Sequence, residues 1–227
     1  MEDLITLALG RTNSYLLPCT GGYILVDTSY PDQYRKFCKL LNRKNIDQAQ
    51  IKYVFLTHHH DDHAGFLSAV RKESNARLIA HAKSTGPLKR GGAKGAVRPA
   101  NRLAGAVFAV FRAVHRDFRF PPVQIKDEDI LVKEDDHRTL KEIGVDGAIV
   151  YTPGHTRDSV SMVLSDGRAL VGDAAMNFMK WTGLKHRPIL VENIHEVYKS
   201  WEKLLSMGAT VIYPAHGKPF PSHELKW

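Results

Sequence analysis

Residues 57–65 read THHHDDHAG, and this stretch decides the fold. Four histidines and two aspartates occupy positions 58–63, directly after the apolar segment IKYVFLT at 51–57. An apolar run of that length, rich in β-branched and aromatic residues, predicts a buried strand. Imidazole and carboxylate groups are the ligands expected of zinc and similar divalent ions. The stretch therefore predicts a metal site at the end of a buried strand.

Three other strand-like segments end in a residue of the same chemistry. His155 lies in YTPGHT, Asp173 in LVGDAA and His216 in YPAHG, and each follows an apolar run. A single histidine or aspartate in such a place is usually a surface or turn residue. Three in succession, after the cluster at 58–63, favour a common site at one edge of the sheets.

The order of these residues resembles the metallo-β-lactamase superfamily, whose pattern is HxHxDH followed by separated His, Asp and His. The pattern extends over roughly residues 4–219, and here it reads His58-x-His60-x-Asp62-His63, then His155, Asp173 and His216. The resemblance implies a mixed α/β (α+β) fold, a four-layer αββα sandwich with a metal centre at one edge. We expect residues 1–227 to form a single domain of this kind. The motif is specific for the fold and says little about the substrate.

The resemblance also implies a role for each ligand. His58, His60 and His155 would bind a first metal, and Asp62, His63 and His216 a second, with Asp173 between the two. Two Zn²⁺ ions per chain are the expected cofactors, with iron or manganese as alternatives. Asp62 is the expected catalytic residue, because a carboxylate there orients the nucleophile and moves its proton.

Three further residues are candidates for supporting the ligands. Asp27 ends the strand GYILVD, where related proteins keep an acid near the metals, although a surface turn is the alternative. His59 occupies an x position of the motif and is expected to support the turn. Thr156 follows a ligand, so its hydroxyl could hold the loop, and simple capping is equally consistent with its position.

The positive charge of the protein is confined to one segment. The chain has 227 residues and a formal net charge of +8. Residues 83–119 contain nine lysines and arginines and a single acid, Asp117, so they account for the whole excess. A uniformly basic nucleic-acid-binding protein is therefore disfavoured, although a nucleic-acid partner is not excluded.

This basic segment interrupts the alternation of strands and helices and predicts a helical insert over 83–122. Apolar residues from Leu103 to Phe118 recur at spacings of three or four, which predicts an amphipathic helix. Three interpretations stay open: a lid and wall over the metals, a membrane-surface or homodimer contact through 103–120, or a helix packed on the core with a solvated basic face. Under the first, Arg112 and Arg116 contact the substrate. The segment after Asp173 offers a second wall, with Phe178, Lys180 and Trp181 as candidate contacts.

After the insert the strand pattern returns. ILVKEDD, GAIVYTPGH, SVSMVLSDG and RALVGDA predict a run of antiparallel strands with a hairpin at Asp166-Gly167, and a helix follows in VENIHEVYKSWEKLLSMG. No apolar run is long enough to span a bilayer, and the first residues are acidic where a signal peptide is basic. Two cysteines are too few for a disulfide framework, so a cytoplasmic location is expected.

These observations favour a metal-dependent hydrolase that cleaves an ester-type bond of a small, acidic molecule: a thioester, lactone or other carboxylic ester. THHHDDHAG is similar to the motif of glyoxalase II, although Phe66 replaces that family's final glycine. Lactonases with this ligand set often carry a tyrosine three positions after the bridging Asp, where this chain has Met176. The alternatives are a phosphodiesterase or nuclease, an iron-dependent persulfide dioxygenase, and a metal-stabilised binding module without activity.

Overall fold

Two large sheets form the centre of the fold in the computed structural model, which describes residues 4–92, 97–114 and 118–226. In chain order the strands are β1 (Ile5–Leu9), β2 (Thr12–Cys19), β3 (Gly22–Val26), β4 (Ile51–Phe55), β5 (Arg77–His81), β6 (Arg98–Pro99), β7 (Ile130–Val132), β8 (Gly147–Tyr151), β9 (Val160–Leu164), β10 (Arg168–Gly172), β11 (Leu190–Val191), β12 (Val211–Pro214) and β13 (Phe220–Pro221). The helices are α1 (Tyr34–Arg43), α2 (Asp61–Ala64), α3 (Leu67–Ser74), α4 (Thr85–Arg90), α5 (Arg102–Val114), α6 (Thr139–Glu142) and α7 (Ile194–Ser206).

The two sheets differ in the direction of their strands. In the described residues, the first sheet has the order β1-β2-β3-β4-β5-β7, antiparallel from β1 to β3 and parallel from β3 to β7. The second has the order β13-β12-β10-β9-β8, antiparallel except for the parallel pair β10 and β12. The hairpins at Gly21-Gly22 and Asp166-Gly167 join antiparallel neighbours, as the sequence predicts.

Side chains of the central strands are buried on both faces, which explains their nearly continuous apolar sequences. In β4 and β5, for example, Val54 and Leu78 face one cluster of buried residues, and Phe55 and Ile79 face another. The second of these clusters also contains Met162 and other residues of β8, β9 and β10, so it lies between the two sheets.

The cluster that contains Val54 and Leu78 lies on the outer face of the first sheet, and a third cluster lies on the outer face of the second sheet. One joins the first sheet to α1, α3 and α4 through residues such as Phe37 and Val70. The other joins the second sheet to α7 through Val197, Trp201 and Leu204, whose spacing of four and three places them on one helical face. The order of layers is therefore helix, sheet, sheet, helix, the αββα sandwich that the resemblance implied.

One expected pairing is wrong. β7, the strand of the segment ILVKEDD, pairs in parallel with β5 at the edge of the first sheet and does not join the antiparallel run of β8, β9 and β10. Strand propensity and alternation predict that a segment is a strand, but the neighbour it pairs with depends on contacts far along the chain.

The insert over 83–122 contains α4, β6 and α5, while its residues 93–96 and 115–117 lie outside the described ranges. Asn101 fixes the start of α5, since its Oδ1 accepts a hydrogen bond from Ala104 N at 2.8 Å and its Nδ2 donates to Thr182 O at 3.0 Å. β6 pairs with β11, the strand that precedes α7. These contacts hold α5 beside residues 178–191. Among the described residues, no helix is both long and apolar enough to cross a membrane.

Candidate metal centre

The expected ligands meet because the strands before them end at one edge of the sandwich. β3 and β4 are parallel, so Asp27 and the loop that starts at Thr57 leave the first sheet on the same side. β8, β10 and β12 all run in one direction, since β9 is antiparallel to both β8 and β10 and β12 is parallel to β10. His155, Asp173 and His216 follow these three strands. Polar groups at the carboxyl ends of such strands commonly form ligand sites.

Three imidazole nitrogens form the first group. His58 Nε2 lies 3.1 Å from His60 Nδ1, and His155 Nε2 lies 3.1 Å and 3.0 Å from these two atoms. Separations of this size suit nitrogens that share one ion at a zinc–nitrogen distance of about 2.0–2.1 Å.

Asp62, His63 and His216 form the second group. Asp62 Oδ2 lies 3.2 Å from His216 Nε2, and Asp62 Oδ1 lies 3.8 Å from His63 Nε2. His63 is fully buried and His216 is nearly so, which keeps their ring nitrogens away from bulk water. Short helix α2 begins directly after His60 and carries Asp62 and His63, so the two groups diverge within a single turn of chain.

Asp173 lies between the two groups. Its Oδ2 is 3.5 Å from His155 Nε2, and its Oδ1 is 3.4 Å from His63 Nε2 and 3.5 Å from His216 Nε2. One carboxylate oxygen therefore faces each group, the arrangement that an anionic bridge between two cations needs.

Acceptors behind the histidines decide which ring nitrogen carries the proton. The Nδ1–H group of His155 donates to Leu190 O at 2.7 Å, that of His216 donates to Arg11 O at 3.0 Å, and that of His63 donates to Asp27 Oδ2 at 2.7 Å. In the neutral imidazoles, the Nε2 atom then presents a lone pair to the centre. Neutral histidine with an inward lone pair is the form that binds metal.

Two atoms of the centre have no hydrogen-bond partner although they are buried. They are His63 Nε2 and Asp173 Oδ1, which face each other at 3.4 Å. A buried polar atom without a partner is costly, on the order of 1–3 kcal/mol, unless something else satisfies it. A divalent cation would satisfy both atoms, and together with the converging lone pairs this makes the centre a fit for metal ions.

The pKa values of the histidines differ across the centre. Burial and, to a smaller extent, the neighbouring His155 lower the pKa of His60 to about 3. Burial also lowers the pKa of His216, but the Asp173 and Asp62 carboxylates outweigh that effect and raise it to about 9. The first group is thus neutral and ready for metal, whereas a proton competes with metal at the second group.

Comparison with known proteins agrees with this geometry. The family model of the metallo-beta-lactamase superfamily matches residues 7–216. The chain belongs to that superfamily. Its ligand pattern, its fold and its metal-binding centre are therefore those of one family. The match extends from β1 to the last of the expected ligands.

Named relatives of this metallo-beta-lactamase-superfamily chain have modest identity to it. It is 27% identical to the beta-lactamase-like protein 2 homolog of Caenorhabditis elegans over 96% of the chain, which covers 62% of that relative. It is 26% identical to a hydroxyacylglutathione hydrolase of Rhodopseudomonas palustris over 52% of the chain and 31% of that protein. The chain thus spans about three fifths of the length of the first relatives it matches.

Solved structures of the superfamily share its fold. A family protein from Thermus thermophilus has a TM-score of 0.69 and 23% identity, covering 98% of this chain and 75% of that one. The metallo-beta-lactamase BLEG-1 has the same TM-score at 18% identity, covering 98% and 94%. At these identities the likeness concerns the fold alone.

The three residues expected to support the ligands take different positions. Asp27 is buried and accepts three hydrogen bonds of 2.7 Å, from His63 Nδ1, Thr57 N and Thr57 Oγ1. His59 belongs to none of the ligand groups, and its Nδ1 lies 2.8 Å from Asp158 Oδ1. Thr156 Oγ1 lies 2.8 Å from Ser159 Oγ, within the loop that carries His155.

Asp158 is a supporting residue that the sequence did not reveal. Besides His59 Nδ1, its carboxylate accepts the backbone N–H of His59 at 3.1 Å, so it holds the middle of the HHH run from 99 positions along the chain. In the sequence, TRDSV looks like an ordinary turn. Its place three residues after a ligand histidine is the one signal that could have singled it out.

A cavity of about 820 Å³ opens over the metal centre. The ligands His60, Asp62, His155, Asp173 and His216 line it together with residues of α5 and of the segment after Asp173. Arg112, Phe178 and Trp181, three of the expected substrate contacts, are among the lining residues. Arg116 lies outside the described residues.

Lys180 is the expected substrate contact that lies, among the described residues, apart from the cavity. It is absent from the lining of the cavity, and its Nζ lies 3.3 Å from Glu224 Oε2. Conversely, Arg11 and Tyr30 line the cavity although they had no motif to mark them. Both lie in turns after strands of the first sheet, where residue type alone does not tell a turn residue from a binding residue.

Proposed function

We propose that this chain is a dinuclear, zinc-dependent hydrolase that cleaves an ester-type bond, with a thioester as the first candidate. The observation that carries the proposal is the arrangement of six His and Asp side chains in two groups of three, with Asp173 between the groups. A purely structural metal site needs no open position and no cavity over it. Here the ligands line a cavity large enough for a small organic molecule.

The likeness to a hydroxyacylglutathione hydrolase supports a thioester as the bond to test first. The lining of the cavity also favours an ester over a nucleic-acid phosphodiester, because the walls formed by α5 are mainly apolar. A lactone or another carboxylic ester fits the same walls.

When bound, divalent cations supply Lewis acidity, which lowers the pKa of water and polarises the electrophilic oxygen of a substrate. In the proposed reaction, water adds to the acyl carbon, and the bond from that carbon to sulfur or oxygen breaks. The thiol or alcohol leaves with a proton. The chain's own residues hold the reacting groups in place and accept or move protons.

Asp62 is the residue we assign to orienting the attacking water. It lines the cavity, and its carboxylate contacts His216 on one side. Burial alone would raise the pKa of Asp62, but the neighbouring His63 and His216 imidazoles lower it below its ordinary value. The group is therefore an ionised acceptor for a hydrogen bond from water. Burial lowers the pKa values of His58, His60 and His155, so these three imidazoles are neutral, and the Leu190 carbonyl oxygen holds the Nδ1–H of His155.

The test combines metal counting with a substrate panel. Metal-free protein is titrated with Zn²⁺, Mn²⁺ and Fe²⁺, and each form is assayed with an acyl thioester, a lactone, a phosphodiester and, with oxygen uptake recorded, a persulfide. We expect two equivalents of zinc per chain and fastest turnover of the thioester or lactone. One equivalent of iron together with oxygen uptake on a persulfide would overturn the hydrolase assignment.

Variants separate the centre from the rest of the surface. His155→Ala and Asp62→Ala are expected to lower turnover by more than about 100-fold, since ligands exceed the 10- to 100-fold effects of the groups behind them. His195→Ala removes an exposed histidine on α7 and is the matched control. Turnover retained in both ligand variants would contradict the proposal.

A further inference from the structure

Exposed apolar side chains collect around one opening. Five large hydrophobic residues are exposed in the described part of the chain: Leu103, Val110, Phe118, Phe178 and Trp181. All of them except Leu103 line the cavity over the metal centre. Val110 and Trp181 are the most exposed, at 69% and 70%. Single exposed apolar residues are common on proteins, but a cluster around one opening indicates a binding surface.

The cluster forms two facing walls. On α5 and just beyond it, the rings of Phe108, Phe111 and Phe118 lie 6.1–6.3 Å apart, centre to centre. The Arg11 guanidinium lies 5.2 Å from the centre of the Phe111 ring and so connects this wall to the body of the protein.

The opposite wall comes from the segment after Asp173. The Phe178 ring lies 6.2 Å from the ring of the ligand His216, so the apolar surface begins beside the metals. Trp181 continues it toward the opening. The hydrogen bond from Asn101 Nδ2 to Thr182 O ties this segment to the start of α5, which keeps the two walls together.

We call the part of the cavity between these two walls the apolar arm. We propose that the apolar arm binds a long aliphatic or aromatic acyl group, so that the substrates are amphiphilic esters or thioesters. The inference rests on the proposed function, because it needs the scissile carbonyl to lie at the metal ligands. Those ligands and both walls line the same cavity. In the proposed complex, an ester held at the centre has its acyl group between Phe178 and α5.

The residues that line the arm favour a single acyl chain over other occupants. A chain inside the cavity contacts the inner residues Val107, Phe108 and Met176 as well as the rim. A bilayer surface or a second copy of the protein would cover the exposed rim residues and leave the inner ones in water. Burial of apolar surface provides the favourable free energy of such binding, so an occupant that contacts both the inner and the rim residues is preferred.

The experiment uses one thiol acylated with acetyl, butyryl, hexanoyl and octanoyl groups, and the zinc-loaded enzyme. We expect kcat/KM to rise about two- to fourfold for each added methylene, the change in rate that corresponds to burial of one methylene. Val110→Asp places a charge in the arm and is expected to flatten this dependence. Leu103→Asp alters an exposed residue of the same helix outside the cavity, and it should retain the slope of the parent.

A binding measurement separates this inference from the proposed function. 1-Decanol and 1-hexanol are titrated into the protein while tryptophan fluorescence is followed. The variant Trp181→Phe assigns the signal, since the chain also contains Trp201, which is buried, and Trp227. We expect decanol to bind more tightly than hexanol, and Val110→Asp to weaken both. If decanol binds in this way but no ester is cleaved, the apolar arm binds aliphatic chains as inferred, and the hydrolase assignment is wrong.

Three results would overturn the arm. Hydrolysis with no dependence on chain length, together with no binding of decanol, would show that the acyl group lies elsewhere. Binding to phosphatidylglycerol vesicles without binding of the free alcohol would assign the exposed residues to a lipid surface. Concentration-dependent dimerisation of the parent that Val110→Asp abolishes, again without alcohol binding, would assign them to a second copy of the chain.

Discussion

Replacing Asp27 by Asn tests whether a residue behind the ligands controls the second metal group. Asp27 Oδ2 accepts the Nδ1–H of His63 at 2.7 Å, and the same oxygen accepts the Thr57 hydroxyl at 2.7 Å. Asn keeps the size of the side chain and suits the left-handed backbone at this position, where φ is +54°. The substitution therefore removes the charge and one acceptor atom with little strain on the backbone.

The amide changes which nitrogen of His63 carries its proton. While Asn Oδ1 continues to accept the backbone N–H of Thr57, as Asp27 Oδ1 does at 2.7 Å, its NH₂ group faces His63 Nδ1. Two donors repel, so the His63 ring is driven to carry its proton on Nε2, the atom that faces Asp173 at 3.4 Å. A protonated Nε2 cannot bind metal.

The expected cost is a 10- to 100-fold loss of affinity at the second site, the usual effect of removing a partner behind a metal-bound histidine, or about 1.4–2.7 kcal/mol. Zinc affinity at each site is measured by competition with a chromophoric chelator. The first site should keep its affinity, because His58, His60 and His155 make no hydrogen bond to Asp27 in the described structure.

Asp158→Asn is the matched control. Asp158 is also buried and also pairs with a histidine Nδ1, at 2.8 Å, but that histidine is His59, which belongs to none of the ligand groups. The two variants remove the same chemistry at similar burial. If Asp27→Asn binds its second zinc as tightly as Asp158→Asn does, the reasoning about the proton of His63 is wrong.

Three further results are expected. Gly172→Ala should lower the free energy of urea unfolding by more than about 1 kcal/mol relative to Gly183→Ala, because both positions have positive φ but only at Gly172 would a Cβ overlap a neighbouring side chain. In the metal-free protein His216 has a pKa of about 9, against 6.5 in the unfolded chain. Its proton therefore stabilises the fold fully below pH 6.5, and this contribution is lost as the pH rises through 9. Thermal melts should show falling stability over that range, and zinc should abolish the trend. Arg112→Ala should raise KM for an acidic ester more than for a neutral one, whereas Lys180→Ala, outside the cavity, should leave both KM values unchanged.

Much of the centre could be predicted from the sequence because its ligands follow strands. His58, His60, Asp62 and His63 lie within six consecutive positions, so their proximity is nearly guaranteed by chain connectivity. The buried strands before the ligands are visible as apolar runs, and strands that end at one edge bring their last residues together. The match of the family model to residues 7–216 agrees with that order.

Gly65, the last residue of the opening stretch, shows where the sequence stops being informative. A Cβ at this position would overlap the carbonyl oxygen of Ser29, so the glycine is required by the close approach of two loops. The residues around Gly65 and Ser29 contain no sequence pattern that predicts this approach. Packing between segments far apart in sequence decides it.

The sequence by itself determined which residues are the candidate metal ligands, the strands that precede them and the basic, apolar insert. Only the tertiary structure decided that Leu190 and Arg11 carbonyl oxygens orient His155 and His216, that Asp158 holds His59, and that α5 lies across the cavity. The physical reason is that ligand chemistry resides in side-chain type, which a sequence displays. Backbone acceptors have no side-chain signature, and the side of the molecule on which an insert packs depends on long-range contacts.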